Sequence, residues 1–385
     1  MIKILINTVN ARNIGGGFQV VYNFIVKTME YQIDEVQWYY AVSEKLDSVL
    51  PDTFRSLPRD RYRVFPNQPD FFKTYKKVRR ELKEWEETLN PNVVFSPLSP
   101  GYFFFKTKEV MRFANAWSTN ATPESWQTLP TTQKIRTKIY NIMQRSLLRR
   151  ASYIITQTEV VREGLLRVTH LPQDHVVVVP NVLPAFFLSV SPEQYPAEDG
   201  WVDIAAVGGQ MPHKNLDIIP RVLRILRDQY HKDNVRFHTT LPVDSYVWRK
   251  IEEEVESLGQ HGKVINHGAL SLTRLADLYK HCQYCFLPSV LETFSASTLE
   301  AMYFGLFTVA SDMSFNREVL KDASVYFQPM NPTSAAEQFA TLIDDAEKQL
   351  HLKEMMTERI SHYLDFRKYF NDTVDFLIKV ANWDE

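Results

Sequence analysis

The chain has 385 residues, of which 44% are hydrophobic and 23% are charged, and its formal net charge is −2. This composition is typical of a folded globular protein and excludes a disordered chain. The length favours two domains over a single core. No apolar run reaches the roughly 20 residues needed to span a bilayer, so we expect a cytoplasmic protein.

The first half of the chain alternates short apolar segments with amphipathic ones. The apolar segments predict strands at 3–7, 36–41, 62–65, 93–96, 110–114, 153–156 and 176–179. Helical spacing occupies 18–31, 71–89, 132–150 and 158–168. Such alternation predicts a parallel sheet with helices on both faces.

A polar, proline-containing stretch at 184–200 predicts a linker, after which the same pattern starts again. The second set of strands is expected at 202–207, 235–240, 264–267, 283–287, 306–310 and 324–327. The helices between them are expected near 215–231, 245–258, 271–280, 297–304 and 314–321. We therefore predict an α/β protein with two doubly wound domains, 1–185 and 200–364, and a C-terminal helix at about 365–385 that packs back on the first domain.

The segment Pro288–Met302 is the most informative part of the chain. A predicted strand ends before Pro288, Glu292 lies in the following loop, and Glu300 lies in the helix after it. In open α/β sheets, ligands bind at the carboxyl ends of strands and against helix N-termini. Two carboxylates beside backbone N–H donors suit a ligand with hydroxyls and phosphate, such as a nucleotide sugar.

Two further loops follow the first predicted strand of each half. Gly15, Gly16 and Gly17 would let the backbone approach a phosphate or a sugar, and a plain tight turn is the alternative. In the second half, Lys214 stands near a predicted helix start, where the helix dipole favours an anion. A solvated surface lysine is the alternative there. Because Lys214 is expected at the same sheet edge as Glu292, we favour phosphate binding.

No metal or cofactor is expected. The chain has no Asp-x-Asp and no cluster of His, Cys and Glu at ligand spacing. Cys282 and Cys285 form one Cys-x-x-Cys, which could be a redox pair, but we favour two ordinary thiols because the motif closes a predicted helix and does not open one. Hydrolysis by Glu292 and Glu300 is disfavoured, since a carboxylate fixed in a helix cannot easily flank a glycosidic bond.

These motifs resemble those of the retaining glycosyltransferases of the GT-B fold, family 4 (glycosyl transferases group 1). Pro288–Ala301 resembles the family's Pro-Ser-x-x-Glu-x-Phe-Gly-x-x-x-x-Glu-Ala segment, and Gly209–Asn215 resembles its Gly-Arg…Lys-Gly/Asn loop. Val178–Val182 is similar to its Val-Ile-Pro-Asn-Gly segment, and Gly15–Gly17 to its amino-terminal glycine loop. The resemblance covers nearly the whole chain. It implies two Rossmann-like domains that face each other across a cleft.

The resemblance also implies roles for single residues. Lys214 would bind the donor diphosphate, Glu300 the ribose, and Glu292 the hydroxyls of the transferred sugar. The backbone N–H groups of Phe294 and Ser295 would help to fix that sugar and its phosphate.

The other implied residues include several that depart from the family pattern. Gly16 and Gly17 would face the diphosphate or the acceptor, and Gly209 belongs to the donor loop. Gln210 replaces the usual arginine, which moves a phosphate contact to His213 or removes it. Ser295 and Val182 replace glycines. A histidine common in the first domain is absent, and Asn115 is the nearest candidate to face the sugar, beside Glu292 and Lys214 as catalytic residues.

The resulting prediction is a metal-independent, retaining hexosyltransferase. It would move a sugar from a UDP or GDP sugar to a hydroxyl of a glycan or glycolipid acceptor, in cell-surface polysaccharide synthesis. Two alternatives stay open: a nucleotide-sugar epimerase of the same fold, and a non-catalytic sugar-binding or scaffold subunit.

The two halves of the chain carry opposite charge. Residues 1–185 hold 25 Lys and Arg against 17 Asp and Glu, and residues 186–385 hold 19 against 29. Two basic stretches, 71–80 and 134–150, interleave cations with apolar residues, which predicts peripheral contact with an anionic membrane at its inner face. The alternative is a solvated helix that packs through its apolar stripe. Nucleic acid is not expected, because no binding motif accompanies the charge.

Overall fold

A computed structural model describes residues 1–11, 16–66, 73–98, 103–195 and 200–383. Four parts of the sequence predictions lie outside these residues: Gly15, positions 71 and 72 of the first basic stretch, positions 196–199 of the linker, and positions 384 and 385 of the C-terminal helix.

The described residues of the first half form a sheet of seven parallel strands in the order β3-β2-β1-β4-β5-β6-β7. The strands are β1 (Ile2–Thr8), β2 (Val36–Ser43), β3 (Tyr62–Phe65), β4 (Val93–Ser96), β5 (Glu109–Arg112), β6 (Tyr153–Thr156) and β7 (Val176–Val178). Every strand predicted for this half is confirmed, with ends within two residues of the prediction. Helices that cover both faces of the sheet explain why the central strands read as continuous apolar runs.

The second half forms a parallel sheet of six strands in the order β10-β9-β8-β11-β12-β13. The strands are β8 (Val202–Ala206), β9 (Val235–Thr239), β10 (Val264–Asn266), β11 (Tyr284–Leu287), β12 (Phe307–Ser311) and β13 (Val325–Phe327). The predicted strands of this half are confirmed to within one residue. The prediction of two doubly wound parallel sheets is therefore confirmed.

Helices connect the strands. They are α1 (Gly16–Glu30), α2 (Glu44–Asp47), α3 (Asp52–Arg55), α4 (Lys73–Leu89), α5 (Pro123–Gln127), α6 (Thr131–Leu148), α7 (Glu159–Thr169), α8 (Ala185–Leu188), α9 (Ile219–Tyr230), α10 (Tyr246–Ser257), α11 (Leu272–His281), α12 (Ala296–Tyr303), α13 (Ser314–Leu320), α14 (Pro332–Asp344), α15 (Ala346–Ser361) and α16 (Phe366–Ala381). Among the described residues, none of these helices is both long enough and apolar enough to cross a membrane.

The chain divides into two compact units. Unit 1 comprises residues 1–119, 139–180 and 367–385, and unit 2 comprises residues 120–138 and 181–366. Residues 120–138, which the sequence-based division assigns to the first domain, thus group with unit 2. The C-terminal helix α16 packs in unit 1, where the ring of Phe370 lies 5.1 Å from that of Phe24 and 5.2 Å from that of Tyr31.

The sheet of unit 2 has a core on each face. Ile204 and Ala206 of β8 pack in one core with α9 and α14, whereas Ala205 packs in the other with α11, α12 and α15. This alternation follows from the two-residue period of a strand. The helices after β8 and β11 consequently leave the sheet on opposite faces.

One buried carboxyl group in unit 1, that of Glu109, has a raised pKa. Glu109 of β5 accepts a hydrogen bond from the Ser96 hydroxyl at 2.5 Å. Burial raises its pKa from 4.5 to about 7, the Ser96 hydroxyl opposes this shift, and the charge of Glu86 adds to it. The folded protein therefore holds a proton on Glu109 at pH values where the unfolded chain has lost it.

Glu109 should make the stability of the protein depend on pH. Below about pH 4.5 both states are protonated and nothing is lost. As the pH rises to about 7, the unfolded state alone ionises, so the free energy of unfolding falls by an amount on the order of 3 kcal/mol. We expect Glu109→Gln to remove this fall in denaturant titrations between about pH 5 and pH 8. The exposed Glu163→Gln is the matched control, and an unchanged pH profile in Glu109→Gln would contradict the assignment.

Candidate active site

The candidate site lies where the strand order of the second sheet reverses. Strands β8 and β11 are neighbours, although they are not consecutive in the chain. The loop after β8 carries Lys214, and the loop after β11 carries Glu292. Loops that follow such strands line a crevice at the carboxyl edge of the sheet.

Two hydrogen bonds join these loops. The Val290 N–H donates to the His213 carbonyl at 2.9 Å, and the Asn215 side-chain amide donates to the Pro288 carbonyl at 3.3 Å. Asn215 is buried and has a φ of 54°, in the left-handed region that asparagine tolerates better than most residues. The loops are thus held at a fixed register, which positions Lys214 opposite Glu292.

Lys214 and Glu292 form an ion pair, with 2.5 Å between Nζ and Oε1. The side chains are 20% and 13% exposed, so water screens their attraction only in part. The sequence predicted both residues at one sheet edge, and the structure brings them together. Lys214 lies in a 3-10 turn, Pro212–Lys214, and α9 begins only at Ile219. Lys214 thus lies near the start of a helical segment, as expected, but left-handed Asn215 separates it from the 3-10 helix Leu216–Ile218 that leads into α9.

Glu300 is buried in α12, the helix that follows Glu292. The Tyr279 hydroxyl of α11 donates to Glu300 Oε2 at 2.6 Å. Burial raises the pKa of Glu300, whereas the Tyr279 hydroxyl and the Lys214 charge oppose the rise. Lys214 thus acts electrostatically on Glu300 as well as on Glu292. Sequence reasoning missed Tyr279, since nothing in the chain order links it to Glu300.

The start of α12 faces the same loops. Ser295 precedes the helix, but its side chain makes no capping bond, and its Oγ lies 3.2 Å from the Ser297 Oγ. Phe294 is buried, and its ring packs edge-on against Tyr363 at 5.8 Å. The Phe294 side chain therefore anchors the loop in the core of unit 2. Its predicted contribution to ligand binding is through the backbone alone.

The space between the two loops and α12 is a narrow cleft with an empty volume of about 290 Å³. Its polar side chains are those of Lys214, Ser289, Ser295, Ser297, Thr298 and Asn316. Asn316 donates to the Ser311 carbonyl at 2.9 Å and so braces the loop after β12. A cation, hydroxyls and a helix start surround this cleft, a set that suits an anionic, hydroxylated ligand.

The remaining residues of the donor loop differ in exposure. Gly209 and Gln210 are exposed, whereas His213 is partly buried. Burial lowers the pKa of His213; the charge of Glu292 opposes this shift and that of Lys214 adds to it. His213 is therefore neutral at pH 7 and could offer a hydrogen bond but no charge to a phosphate.

The predicted site residues of unit 1 are placed in that unit. Gly16 and Gly17 are the first residues of α1. The Asn115 side chain accepts a hydrogen bond from the Trp117 N–H at 3.3 Å and caps the 3-10 turn Ala116–Ser118. Its role toward a sugar stays a prediction.

Unit 2 also contains a histidine network that sequence reasoning missed. His238 Nε2 lies 2.7 Å from Asp203 Oδ1, and His238 Nδ1 lies 3.0 Å from His267 Nε2. Burial raises the pKa of Asp203, but hydrogen bonds from His238 and Arg236 outweigh burial and lower it to about 2. The network lines a cleft with an empty volume of about 960 Å³. Asp203 lies in β8, His238 in β9 and His267 directly after β10, so only the strand register brings them together.

Metal binding has no support from side-chain geometry in the part of the chain that the structure describes, where no group of three or more His, Cys, Asp or Glu residues could hold an ion. Independence of a metal stays a prediction. Cys282 and Cys285 are buried thiols, and burial raises the pKa of both.

Family models match both halves of the chain. The model described as glycosyl transferases group 1 matches residues 192–359, which contain Lys214, Glu292 and Glu300. The model described as glycosyltransferase family 4 matches residues 14–184. The chain belongs to this glycosyltransferase family. It is therefore a transferase.

Relatives of the glycosyltransferase include an O-antigen chain mannosyltransferase, RfbU, of Salmonella typhimurium, which is 22% identical over 195 residues. The match spans about half of each protein, 50% of this chain and 51% of the relative.

Solved structures match the whole length. A glycosyltransferase from Rickettsia africae has a TM-score of 0.71 at 12% identity, covering 100% of this chain and 99% of that one. Anabaena Alr3699/HepE in complex with UDP-glucose has a TM-score of 0.71 at 14% identity, covering 98% and 100%. The lipopolysaccharide outer core galactosyltransferase WaaB has a TM-score of 0.65 at 16% identity, covering 98% and 99%. The glycosyltransferase thus has the GT-B fold.

Asn215 offers a test of how the two loops are held. Asn215→Gly keeps the left-handed backbone accessible and loses only the bond to Pro288, which should cost about 1 kcal/mol of unfolding free energy. Asn215→Ala loses the same bond and adds left-handed strain of about 1–2 kcal/mol. Denaturant unfolding of both variants measures the difference. Equal stability of the two would mean that the φ of Asn215 does not constrain the loop.

Proposed function

We propose that this glycosyltransferase moves a sugar from a nucleoside-diphosphate sugar, with UDP or GDP as the nucleotide, to a hydroxyl of a glycan or lipid-linked acceptor, with retention of configuration. The carrying observation is the Lys214–Glu292 ion pair at the strand-order reversal, beside the start of α12. Cell-surface polysaccharide synthesis is the process we propose for it. The family membership and the relatives named as a mannosyltransferase and a galactosyltransferase support this reading.

The ion pair suggests how the donor would be received. Glu292 neutralises Lys214 and keeps its Nζ at the cleft. A bound donor would replace the ion pair by two contacts. The diphosphate would pair with Lys214, and hydroxyls of the sugar would donate hydrogen bonds to the Glu292 carboxylate. The lysine is positioned before the reaction, as a preorganised donor should be.

Charge develops on the diphosphate as the glycosidic bond breaks. Lys214 is the sole Lys or Arg in the two loops and the adjoining helix start, residues 207–216 and 288–302. Because Gln210 stands where the family pattern has arginine and His213 is neutral, Lys214 and the start of α12 would have to stabilise that charge. The diphosphate itself would accept the proton of the acceptor hydroxyl on the face it leaves, which gives retention.

Glu300 would bind the ribose of the nucleotide. Its burial and its bond from Tyr279 hold the carboxyl group in one orientation. The UDP-glucose complex of Anabaena HepE, a protein of the same fold, supports a nucleotide-sugar donor for this chain.

Nucleotide binding should be visible as stabilisation. A ligand at about 100 times its dissociation constant adds about 2.7 kcal/mol to the free energy of unfolding. We expect UDP or GDP to raise Tm while ADP does not, and Lys214→Ala to weaken that response. Lys250→Ala, which removes an exposed lysine paired with Asp217, is the matched control. No rise in Tm with any nucleoside diphosphate would overturn the donor assignment.

Loss of the pair should abolish most turnover. Removing one preorganised contact to the reacting groups typically costs about 10²–10³ in kcat, and we expect this for Glu292→Ala and for Lys214→Ala. The assay follows product from a panel of nucleotide sugars with glycan and lipid-linked acceptors, and exposed Glu253→Ala is the control. Full transfer by Glu292→Ala would refute the site. Isomerised donor without acceptor would indicate an epimerase, and nucleotide binding without turnover would indicate a non-catalytic subunit.

A further inference from the structure

Helix α6 has its polar side inside and its apolar side outside. Its buried residues are Asn141, Gln144 and Leu148, at the spacing of one helix face. On the opposite face, Ile139 is 64% exposed, Ile142 is 69% exposed and Met143 is 44% exposed. This is the reverse of the arrangement expected for a helix that packs on a globular core.

Polar contacts fix this orientation. The Asn141 side chain donates to the Trp117 carbonyl at 2.8 Å, and Arg145 Nε donates to the Ser118 carbonyl at 2.8 Å. The exposed apolar residues are therefore not an accident of helix rotation. A helix that packs through its apolar stripe, the alternative considered for 134–150, is contradicted for residues 139–145 of α6, and only its last residue, Leu148, packs in an apolar core.

The two basic stretches meet at Phe104. Its ring is 38% exposed and lies between two guanidinium groups, 5.7 Å from Arg79 Cζ and 4.9 Å from Arg150 Cζ. The neighbouring Phe103 is buried and stacks on Tyr75 at 5.4 Å. Arg79 belongs to α4, and Arg150 lies two residues beyond the end of α6, so Phe104 connects the two segments at the surface of unit 1.

The cations of this region are not equivalent. On α4, Lys77, Arg80 and Lys83 each lie within 4.0 Å of a glutamate one turn later, Glu81, Glu84 and Glu87. In contrast, among the described residues no carboxylate pairs with Arg79 or Arg150. The uncompensated positive charge therefore lies beside Phe104, just beyond the C-terminal end of α6.

We propose that this surface docks on a membrane leaflet that contains anionic lipid. We call it the basic–apolar surface and define it by Arg79, Phe104, Ile139, Ile142, Met143 and Arg150. Cations near an anionic leaflet contribute electrostatic attraction, and aliphatic side chains on an amphipathic helix bury in the headgroup boundary. A nucleic acid would engage the arginines and Phe104 but would leave the isoleucines exposed to water. The docking goes beyond the transfer reaction and does not depend on it.

Flotation of the full-length protein with vesicles tests the surface. We expect binding to vesicles of phosphatidylcholine with about 30% phosphatidylglycerol, little binding to phosphatidylcholine alone, and weaker binding at high salt. Arg79→Gln with Arg150→Gln should lower the partition coefficient about 30-fold, from two cations at roughly 1 kcal/mol each. Ile139→Ser with Ile142→Ser should lower it at least about tenfold, by loss of apolar burial without a change of charge.

The matched control is Arg224→Gln with Arg249→Gln, which removes two exposed arginines from unit 2 and should leave binding unchanged. All substituted positions are exposed, so the Tm of each variant should equal that of the parent protein and any loss of binding should not reflect unfolding. Equal binding to the two vesicle types, or full binding by the isoleucine double variant, would overturn the proposal. Binding of duplex DNA in place of vesicles, lost in the arginine variant but not in the isoleucine variant, would assign the surface to nucleic acid instead.

Discussion

The site depends on the reversal of strand order between β8 and β11. In a parallel sheet each strand is followed by a right-handed crossover, and here the chain leaves β8 toward the face covered by α9 and leaves β11 toward the face covered by α12. The two connections diverge, so the carboxyl edge between these strands is not filled by either helix. Hydrogen bonds from Val290 and Asn215 then close the base of the gap, and Lys214 and Glu292 face each other above it.

The charges around this gap allow it to bind an anion, although two carboxyl groups lie beside it. One lysine is set against Glu292 and Glu300, which would repel a diphosphate if both carboxyl groups were fully ionised and unpaired. Burial raises the pKa of Glu300 and the Tyr279 hydroxyl binds it, so this group contributes less negative charge than an exposed glutamate would. Glu292 is neutralised by Lys214. The start of α12 then supplies partial positive charge to the cleft without a further cation.

The sequence was sufficient for the sheets and for placing Lys214 and Glu292 at one sheet edge, because apolar runs of four to six residues and their order determine strand position and edge. It was not sufficient where distant segments meet. Tyr279 reaches Glu300 from α11, and Asp203, His238 and His267 depend on strand register. The start of α9 was also misplaced, since helical spacing continues through 215 while the left-handed backbone of Asn215 does not.

The two basic stretches show most clearly what periodicity leaves undetermined. Both α4 and α6 combine cations with an apolar stripe. A helical wheel alone does not show which side of either helix faces the core and which side is exposed. In α4 the stripe of Val78, Leu82 and Trp85 is buried, and cations on the exposed side are balanced by glutamates one turn away. In α6 it is Asn141 that points inward, because the Trp117 carbonyl needs a donor that no isoleucine can supply. Two polar contacts, from Asn141 and Arg145, thus decide which side of the helix faces inward, and they leave the apolar side of α6 available to a membrane.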